Sequence, residues 1–162
     1  MPHTLDTLVA HTAWANRQLF AALGAVEAFD SRPGADLIKR ALDHIHVVRC
    51  IFQAHLQGVA HDFTAPQRAV APPLAELDRE FAAVDAWYVD AVAALSDAER
   101  ARPRDVRFTD GRHVTMTATE MVLHVVTHTI HHRGNIDVVM LQTGMPRRRA
   151  GVPEFVSRAS AT

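Results

Sequence analysis

The stretch that decides the fold runs from residue 117 to residue 142 and reads TATEMVLHVVTHTIHHRGNIDVVMLQ. It opens with Thr117 and, three residues later, Glu120, the pattern of a capping box, in which each side chain satisfies a free backbone N–H at a helix start. Apolar residues then occupy most of the circumference, which is typical of a helix buried on more than one side. The stretch therefore predicts a long buried helix that ends near Gly144, since glycine commonly terminates helices.

Four of the chain's eleven histidines lie in this predicted helix, at positions 124, 128, 131 and 132. Side chains three or four residues apart share a helix face, so His128 can pair with His124, His131 or His132. The spacing does not choose among these pairs. Because imidazole binds zinc, copper, iron and nickel, such a pair on a buried helix indicates a transition-metal site. The competing interpretation is that these histidines have only backbone or water partners.

Three further helices are predicted before this one. Apolar residues recur at three- and four-residue steps over residues 5–23, 35–57 and 74–95, the period of amphipathic helices. In the second of these, the predicted apolar stripe includes Leu37 and Ile45. Residues 59–71, between the second and third helices, have no clear periodicity and predict a loop.

Residues 102–117 (RPRDVRFTDGRHVTMT) have a different pattern. Apolar residues lie on either side of Asp110–Gly111, which is a strong two-residue hairpin signal. We therefore expect a small extended hairpin between the third and fourth helices. After the fourth helix, Pro146, Pro153 and small polar residues predict a packed strap and then a disordered end, so that residues 148–162 are partly disordered.

The predicted fold class is all-α: one domain over residues 1–162, formed by a four-helix bundle with long connections and the small hairpin. A chain of 162 residues is long enough to bury a substantial core without disulfides. Bundles of this kind build metal sites in their core from side chains on facing helices.

Composition limits the partners and the compartment. The formal net charge of −1 argues against nucleic acid, and only the arginine run at 147–149 indicates an anionic partner, although such short runs are more often solvated. No apolar run approaches the roughly 18 residues that cross a bilayer, and no secretory signal is expected. The single cysteine, Cys50, cannot form an internal disulfide, so we expect a cytoplasmic protein. It is interpreted as a small buried hydrophobe.

Two histidines on one helix need a ligand from another element. His44 is the best candidate, because it lies among the core-facing residues of the second helix. His46 is turned about 200° away from it at about 100° per residue, and His55 lies about three turns further on. A histidine that binds a metal through one ring nitrogen usually donates a hydrogen bond from the other. The candidate acceptors for this bond are Asp43, Glu120 and Asn16, and each of them also has an ordinary capping or surface explanation.

Three segments together resemble a known family: AWANRQLF at 13–20, LDHIHVVRCIFQAHLQG at 42–58 and LHVVTHTIHHRGNI at 123–136. In this order they are similar to the DinB/YfiT-like superfamily of metal-dependent proteins, over nearly the whole chain. In that family, a histidine of the second helix and a histidine pair one turn apart in the fourth bind a divalent metal. The resemblance implies His44, His128 and His132 as the ligands. It leaves His124 and His131 as neighbours, and it implies a homodimer.

The same resemblance implies that the metal site takes part in a reaction. Three neutral imidazoles leave a divalent metal at least one open position, as in catalytic sites. Zinc or nickel fits best, with iron and manganese as alternatives. Characterised relatives use the low-molecular-weight thiols mycothiol and bacillithiol, which implies a metal-dependent enzyme of the thiol S-transferase or detoxification type, with a thiol and an electrophile as substrates. A hydrolase-like enzyme is a further reading, and the alternative from another class is a non-catalytic, metal-binding stress-response protein. Arg133 would contact the thiol or, equally, form a structural ion pair.

Overall fold

A computed structural model describes residues 4–158 of the chain. Within this range, four long helices account for most of the residues, and two short helices, one 3-10 turn and a two-stranded hairpin connect or follow them. The elements are α1 (Thr4–Gly24), a 3-10 turn (Phe29–Ser31), α2 (Ala35–Gln57), α3 (Leu74–Ala94), α4 (Asp97–Ala101), β1 (Pro103–Arg107), β2 (His113–Thr117), α5 (Ala118–Gln142) and α6 (Val152–Ser157). The all-α prediction is confirmed, and α5 is the helix predicted as the fourth.

The ends of the long helices follow the sequence signals. The capping box at the start of α5 is present: Thr117 N–H donates to Glu120 Oε2 at 2.7 Å, and the Thr117 side chain accepts from the Glu120 N–H. At the other end, Gly144 has a φ of 68°, a left-handed conformation that glycine adopts without steric cost. Gly58 caps α2 in the same way, with a φ of 70°.

The four long helices form a bundle in which α1 and α2 lie diagonally opposite each other. Each of these two helices packs against both α3 and α5. Arg49 of α2 pairs with Asp85 of α3, and His46 lies 3.6 Å from Glu80, so α2 and α3 run in the same direction. The chain between them must therefore return along the length of the bundle, which explains the long loop at 58–73.

A line of buried polar contacts crosses the middle of the bundle. Arg133 of α5 donates to Asn16 Oδ1 at 3.3 Å, Asn16 donates from Nδ2 to Asp85 Oδ1 at 3.0 Å, and Asp85 forms an ion pair with Arg49. Each of the four long helices contributes one residue. Apolar clusters lie on either side of this layer.

The hairpin forms where it was predicted, with a longer loop. Strands β1 and β2 are antiparallel with Val106 opposite Val114, and Asp110–Gly111 lies in the middle of a loop that spans residues 108–112. Val106 is fully buried. The hairpin therefore packs onto the bundle through Val106, with Phe108 and Met116 partly buried beside it, whereas Val114 is 42 % exposed.

Other features differ from the sequence-based expectation. The predicted stripe placed Leu37 in the core, but Leu37 is 64 % exposed. Its neighbour Ile38 is fully buried and occupies that core position instead. In the predicted strap, α6 forms and packs on α1, with the rings of Phe155 and Trp14 5.7 Å apart. The last part of the predicted disordered end, residues 159–162, lies outside the described residues. Between residues 4 and 158, none of the helices combines the length and apolar character that crossing a membrane requires.

Candidate metal centre

Three histidines from two helices come together between α2 and α5. The ring nitrogens of His44, His128 and His132 that can act as ligands all lie within 4.8 Å of one another. His44 Nε2 is 3.0 Å from His128 Nε2. The ring of His132 lies 4.6 Å from that of His44 and 4.4 Å from that of His128, centroid to centroid.

The other two histidines of α5 do not join the cluster. His124 packs its ring on Phe52, with centroids 4.6 Å apart, and His131 is exposed and lies near Asn135. On a helix, His131 and His132 both lie within reach of the face that His128 occupies. In the structure the ring of His132 faces α2 and lies beside His44, whereas His131 does not.

His44 is oriented by the loop between α2 and α3. Its Nδ1 lies 2.8 Å from the carbonyl oxygen of Pro66. A carbonyl oxygen only accepts hydrogen bonds, so Nδ1 carries the proton and the lone pair of Nε2 points toward His128. This is the arrangement in which a metal-binding histidine is fixed by a partner on its outer nitrogen.

Arg68 holds this loop against the bundle. Its backbone N–H donates to Asp43 Oδ2 at 2.7 Å, and its Nε donates to Asp43 Oδ1 at 2.5 Å. The two terminal nitrogens donate to the carboxylate of Glu80 at 2.9 and 2.7 Å. These bonds lower the pKa of Glu80. Arg68 thus ties Pro66 to both α2 and α3, a role that the sequence did not reveal because no periodicity marks the loop.

The electrostatics favour neutral imidazoles. Burial, followed by the neighbouring rings of His132 and His44, lowers the pKa of His128 to about 3. Burial likewise lowers the pKa of His132. Neutral imidazole is the form that binds metals, so these residues are in the ligand state near neutral pH.

The donor set fits a transition metal. Two nitrogens that are each about 2.0–2.1 Å from one zinc ion in tetrahedral geometry lie roughly 3.3 Å apart, and the observed separation of His44 Nε2 and His128 Nε2, 3.0 Å, is close to this value. The outer nitrogen of His128, Nδ1, is buried without a hydrogen-bond partner in the described part of the chain. An all-imidazole set suits zinc, nickel, copper or iron.

A pocket of about 450 Å³ lies beside His44 and His128. Its wall is apolar where Val48, Ile51, Phe52 and Phe108 line it, and its rim is polar where Thr64, Thr109, Asp110 and Arg112 line it. The loop and the hairpin, which lie outside the four-helix core, supply the rim. The site is therefore accessible to a small molecule with both apolar and polar parts.

The remaining candidate residues have structural contacts instead. Asp43 binds Arg68, and Glu120 caps α5. Asn16 bonds to Asp85 in the buried layer, where Arg133 also reaches it. None of these contacts reaches the three histidines directly; Asp43 acts on His44 only through Arg68 and the Pro66 loop.

Cys50 is half-buried on α2, and its Sγ lies 3.5 Å from His46 Nε2. Burial raises the pKa of its thiol to about 11. A thiol with this pKa is protonated at neutral pH and is a poor nucleophile, in agreement with its interpretation as a small hydrophobe.

The fold and the cluster define a class: a four-helix bundle with three histidines gathered between two of its helices. The sequence matches the DinB family over residues 1–159. The chain therefore belongs to the DinB family. It is similar in structure to a DinB-like protein from Bacillus cereus, with a TM-score of 0.61 and 19 % sequence identity, over 87 % of this chain and 91 % of that chain. At this identity the likeness shows a common fold. No curated protein matches the chain.

Proposed function

We propose that His44, His128 and His132 together hold one divalent metal ion, zinc or nickel in the first instance, and that the protein is a metal-dependent enzyme of the thiol S-transferase type. The observation that carries this proposal is the convergence of three ring nitrogens within 4.8 Å of one another. Two of the three residues, His44 and His128, line a pocket of about 450 Å³. Family membership supports the metal site. The thiol chemistry rests on the resemblance of three sequence segments to a superfamily whose characterised members use low-molecular-weight thiols.

The chemistry that a bound divalent metal supplies is positive charge, which favours the deprotonated, nucleophilic form of a thiol. The chain's own residues do the rest. Pro66 fixes the tautomer of His44 through its carbonyl. Phe52 and Phe108 form an apolar wall that excludes water and holds the apolar part of an electrophile. Arg112 and Thr109 at the rim offer donors to the polar groups of the thiol.

Elemental analysis of the untagged protein tests the metal site. We expect near-stoichiometric divalent metal in the parent protein and loss of that metal in His44→Ala and in His132→Ala, because each removes one of three ligands. His131→Ala is the matched control: it removes a histidine adjacent to the cluster, and metal content should stay unchanged. Equal metal content in all four proteins, or none in the parent after reconstitution, would reject the site.

Turnover distinguishes the enzyme from the non-catalytic alternative. The metal-loaded protein is assayed with low-molecular-weight thiols and a panel of electrophiles, and each product is identified by mass spectrometry. An S-conjugate formed by the parent and lost with the metal in His132→Ala supports the transferase. A metal-dependent rise in melting temperature, without conjugates from any pair, supports a binding protein, since a ligand of the folded state stabilises it.

A further inference from the structure

A strongly basic groove lies on the side of α5 that faces α1. It is a cavity of about 600 Å³, lined by Arg133 of α5 and by Arg147, Arg148 and Arg149 of the following segment. Among the described residues that line it, Asp137 is the only carboxylate, so the lining has a formal charge of +3. This concentration of charge contrasts with the net charge of −1 of the whole chain.

Arg133 has unused donors in this groove. Its Nη1 makes two long contacts, 3.4 Å to the carbonyl of Thr12 and 3.3 Å to Asn16 Oδ1. No carboxylate in residues 4–158 lies within 4.0 Å of its guanidinium nitrogens. Arginine stays protonated in proteins. Asp137 and Asp85 are near enough to act on Arg133 electrostatically, but neither forms an ion pair with it. Because a partly buried cation is costly unless it is fully compensated, an anion in the groove would stabilise Arg133 further.

The three consecutive arginines form no ion pair within 4.0 Å in residues 4–158. Burial raises the pKa of Asp137, and the charge of Arg147 opposes that rise, so Asp137 is near enough to act on the run electrostatically. Arg148 reaches only Gln18, at 3.4 Å, and for Arg147 and Arg149 the described part of the chain offers no hydrogen bond or ion pair. Their segment is anchored at both ends. Met145 is 4 % exposed in the core, and the carbonyl of Ala150 accepts from His11 Nε2 at 2.9 Å. The arginine run is therefore held over the groove, which is not expected of a freely solvated tail.

We propose that this groove is a binding site for a phosphate monoester. A dianionic phosphate offers three acceptor oxygens, and the planar guanidinium fork donates to such oxygens in pairs. The volume is within the range of small-molecule sites, about 300–1,000 Å³. A smaller adjoining cavity of about 30 Å³ is lined by Ala15, Leu19, Ala22 and Met140, which is space for a water-sized group or two beside the phosphate; the rest of an ester extends toward solvent. The ligand is either a free phosphate ester or the headgroup of an anionic lipid.

The site is separate from the three-histidine cluster, so its test does not depend on the proposed enzyme activity. Calorimetric titration with glycerol 1-phosphate at constant ionic strength measures binding. The test variant is Arg147→Gln/Arg148→Gln/Arg149→Gln. The matched control, Arg32→Gln/Arg79→Gln/Arg102→Gln, removes the same charge from exposed positions elsewhere. We expect saturable binding to the parent, about ten-fold or more weaker binding to the test variant, and a change of less than about two-fold in the control.

Three outcomes would overturn the proposal: no saturable binding to the parent, an equal loss of affinity in both triple variants, or loss of binding in His44→Ala/His128→Ala/His132→Ala with retention in the arginine variant. The last would place the phosphate at the histidine cluster. If the arginine variant loses its helical circular dichroism, Arg149→Glu replaces it in the same comparison.

A vesicle experiment separates the two sources of the phosphate. Flotation is compared for neutral phosphatidylcholine vesicles with and without phosphatidic acid, which carries a phosphate monoester. Arginine-dependent flotation with phosphatidic acid assigns the groove to a lipid headgroup. Binding of glycerol 1-phosphate without flotation assigns it to a free ester.

Discussion

His44 Nδ1 lies 2.8 Å from the carbonyl oxygen of Pro66, and this bond joins a candidate metal ligand to a loop without regular structure. The bond fixes the ring orientation and directs the Nε2 lone pair to His128. Its geometry depends on where the loop lies, and Arg68 determines that position through its bonds to Asp43 and Glu80. Arg68 is therefore a positioning residue for the three-histidine cluster.

Replacing Arg68 should weaken metal binding without removing a ligand. Arg68→Ala releases the loop and leaves Asp43, which is 1 % exposed, without its partner. We expect metal affinity to fall about 10–100-fold, the usual effect of losing the group that orients a metal ligand. The measurement is competition with a chromophoric chelator. Arg79→Ala, at an exposed position on α3, is the control, and equal affinity in the two variants would contradict the role of Arg68.

The ion pair between Arg49 and Asp85 gives a second prediction. Arg49 is 1 % exposed and Asp85 is 4 % exposed. Asp85→Ala leaves a buried guanidinium without its carboxylate, and the free energy of unfolding should fall by about 3–5 kcal/mol. Urea denaturation measures this change. Asp90→Ala, at an exposed position of the same helix, should change it by less than about 0.5 kcal/mol.

A double replacement distinguishes the contribution of the ion pair to stability from the contribution of the packing around it. In Arg49→Met/Asp85→Leu both charges are removed, and we expect it to be more stable than Asp85→Ala, because no uncompensated charge remains. A double variant that is less stable than Asp85→Ala would show that the pair itself, and its bond to Asn16, stabilises the bundle.

The thiol of Cys50 should react slowly at neutral pH, and its alkylation rate should rise steeply with pH. Burial raises its pKa to about 11, so the thiolate fraction at pH 8 is about 100-fold lower than that of an ordinary cysteine. We expect iodoacetamide to modify the folded protein about 100-fold more slowly than the urea-unfolded protein at this pH. The rate should rise with pH up to about 11. Fast alkylation at pH 8 would contradict the burial of this group.

The raised pKa also affects stability. The folded state holds the Cys50 proton to a higher pH than the unfolded state does. The resulting stabilisation is present below the unfolded pKa and is lost as the pH rises through the folded pKa of about 11. Cys50→Ser should lack this component. It should also retain metal, since the thiol contacts His46 and not the cluster.

The sequence predicted those parts of the structure that depend on local signals. The capping box of Thr117 and Glu120, the glycine at 58 and the apolar periodicity placed the long helices to within a few residues. The hairpin followed from Asp110–Gly111. Helix spacing also limited the histidine pairs to three, each of which includes His128.

The remaining features depend on contacts between residues distant in the sequence. Helical spacing could not separate His131 from His132, because the choice depends on the side of α5 that faces α2. Pro66 and Arg68 lie in a loop whose course is set by the parallel arrangement of α2 and α3, and no local pattern encodes that arrangement. Short elements such as α4 and α6 contain too few residues for periodicity to be recognised.

A glycine at the start of α2 gives the last prediction. Gly34 has a φ of 86°, and a Cβ built at this position lies 2.7 Å from Val139 Cγ1 and 3.3 Å from Thr143 Cγ2. Gly34→Ala therefore combines a strained backbone with a clash against the end of α5, and we expect it to lower the free energy of unfolding by about 1–3 kcal/mol. Gly24→Ala is the control, since its Cβ meets nothing within 4 Å and should be neutral or stabilising by about 0.4–1 kcal/mol. Thermal unfolding resolves the two, because each kcal/mol shifts Tm by about 2–4 °C in a chain of this size. Equal melting temperatures of the two variants would contradict this prediction. They would show that α2 and α5 can move apart at this end without loss of stability.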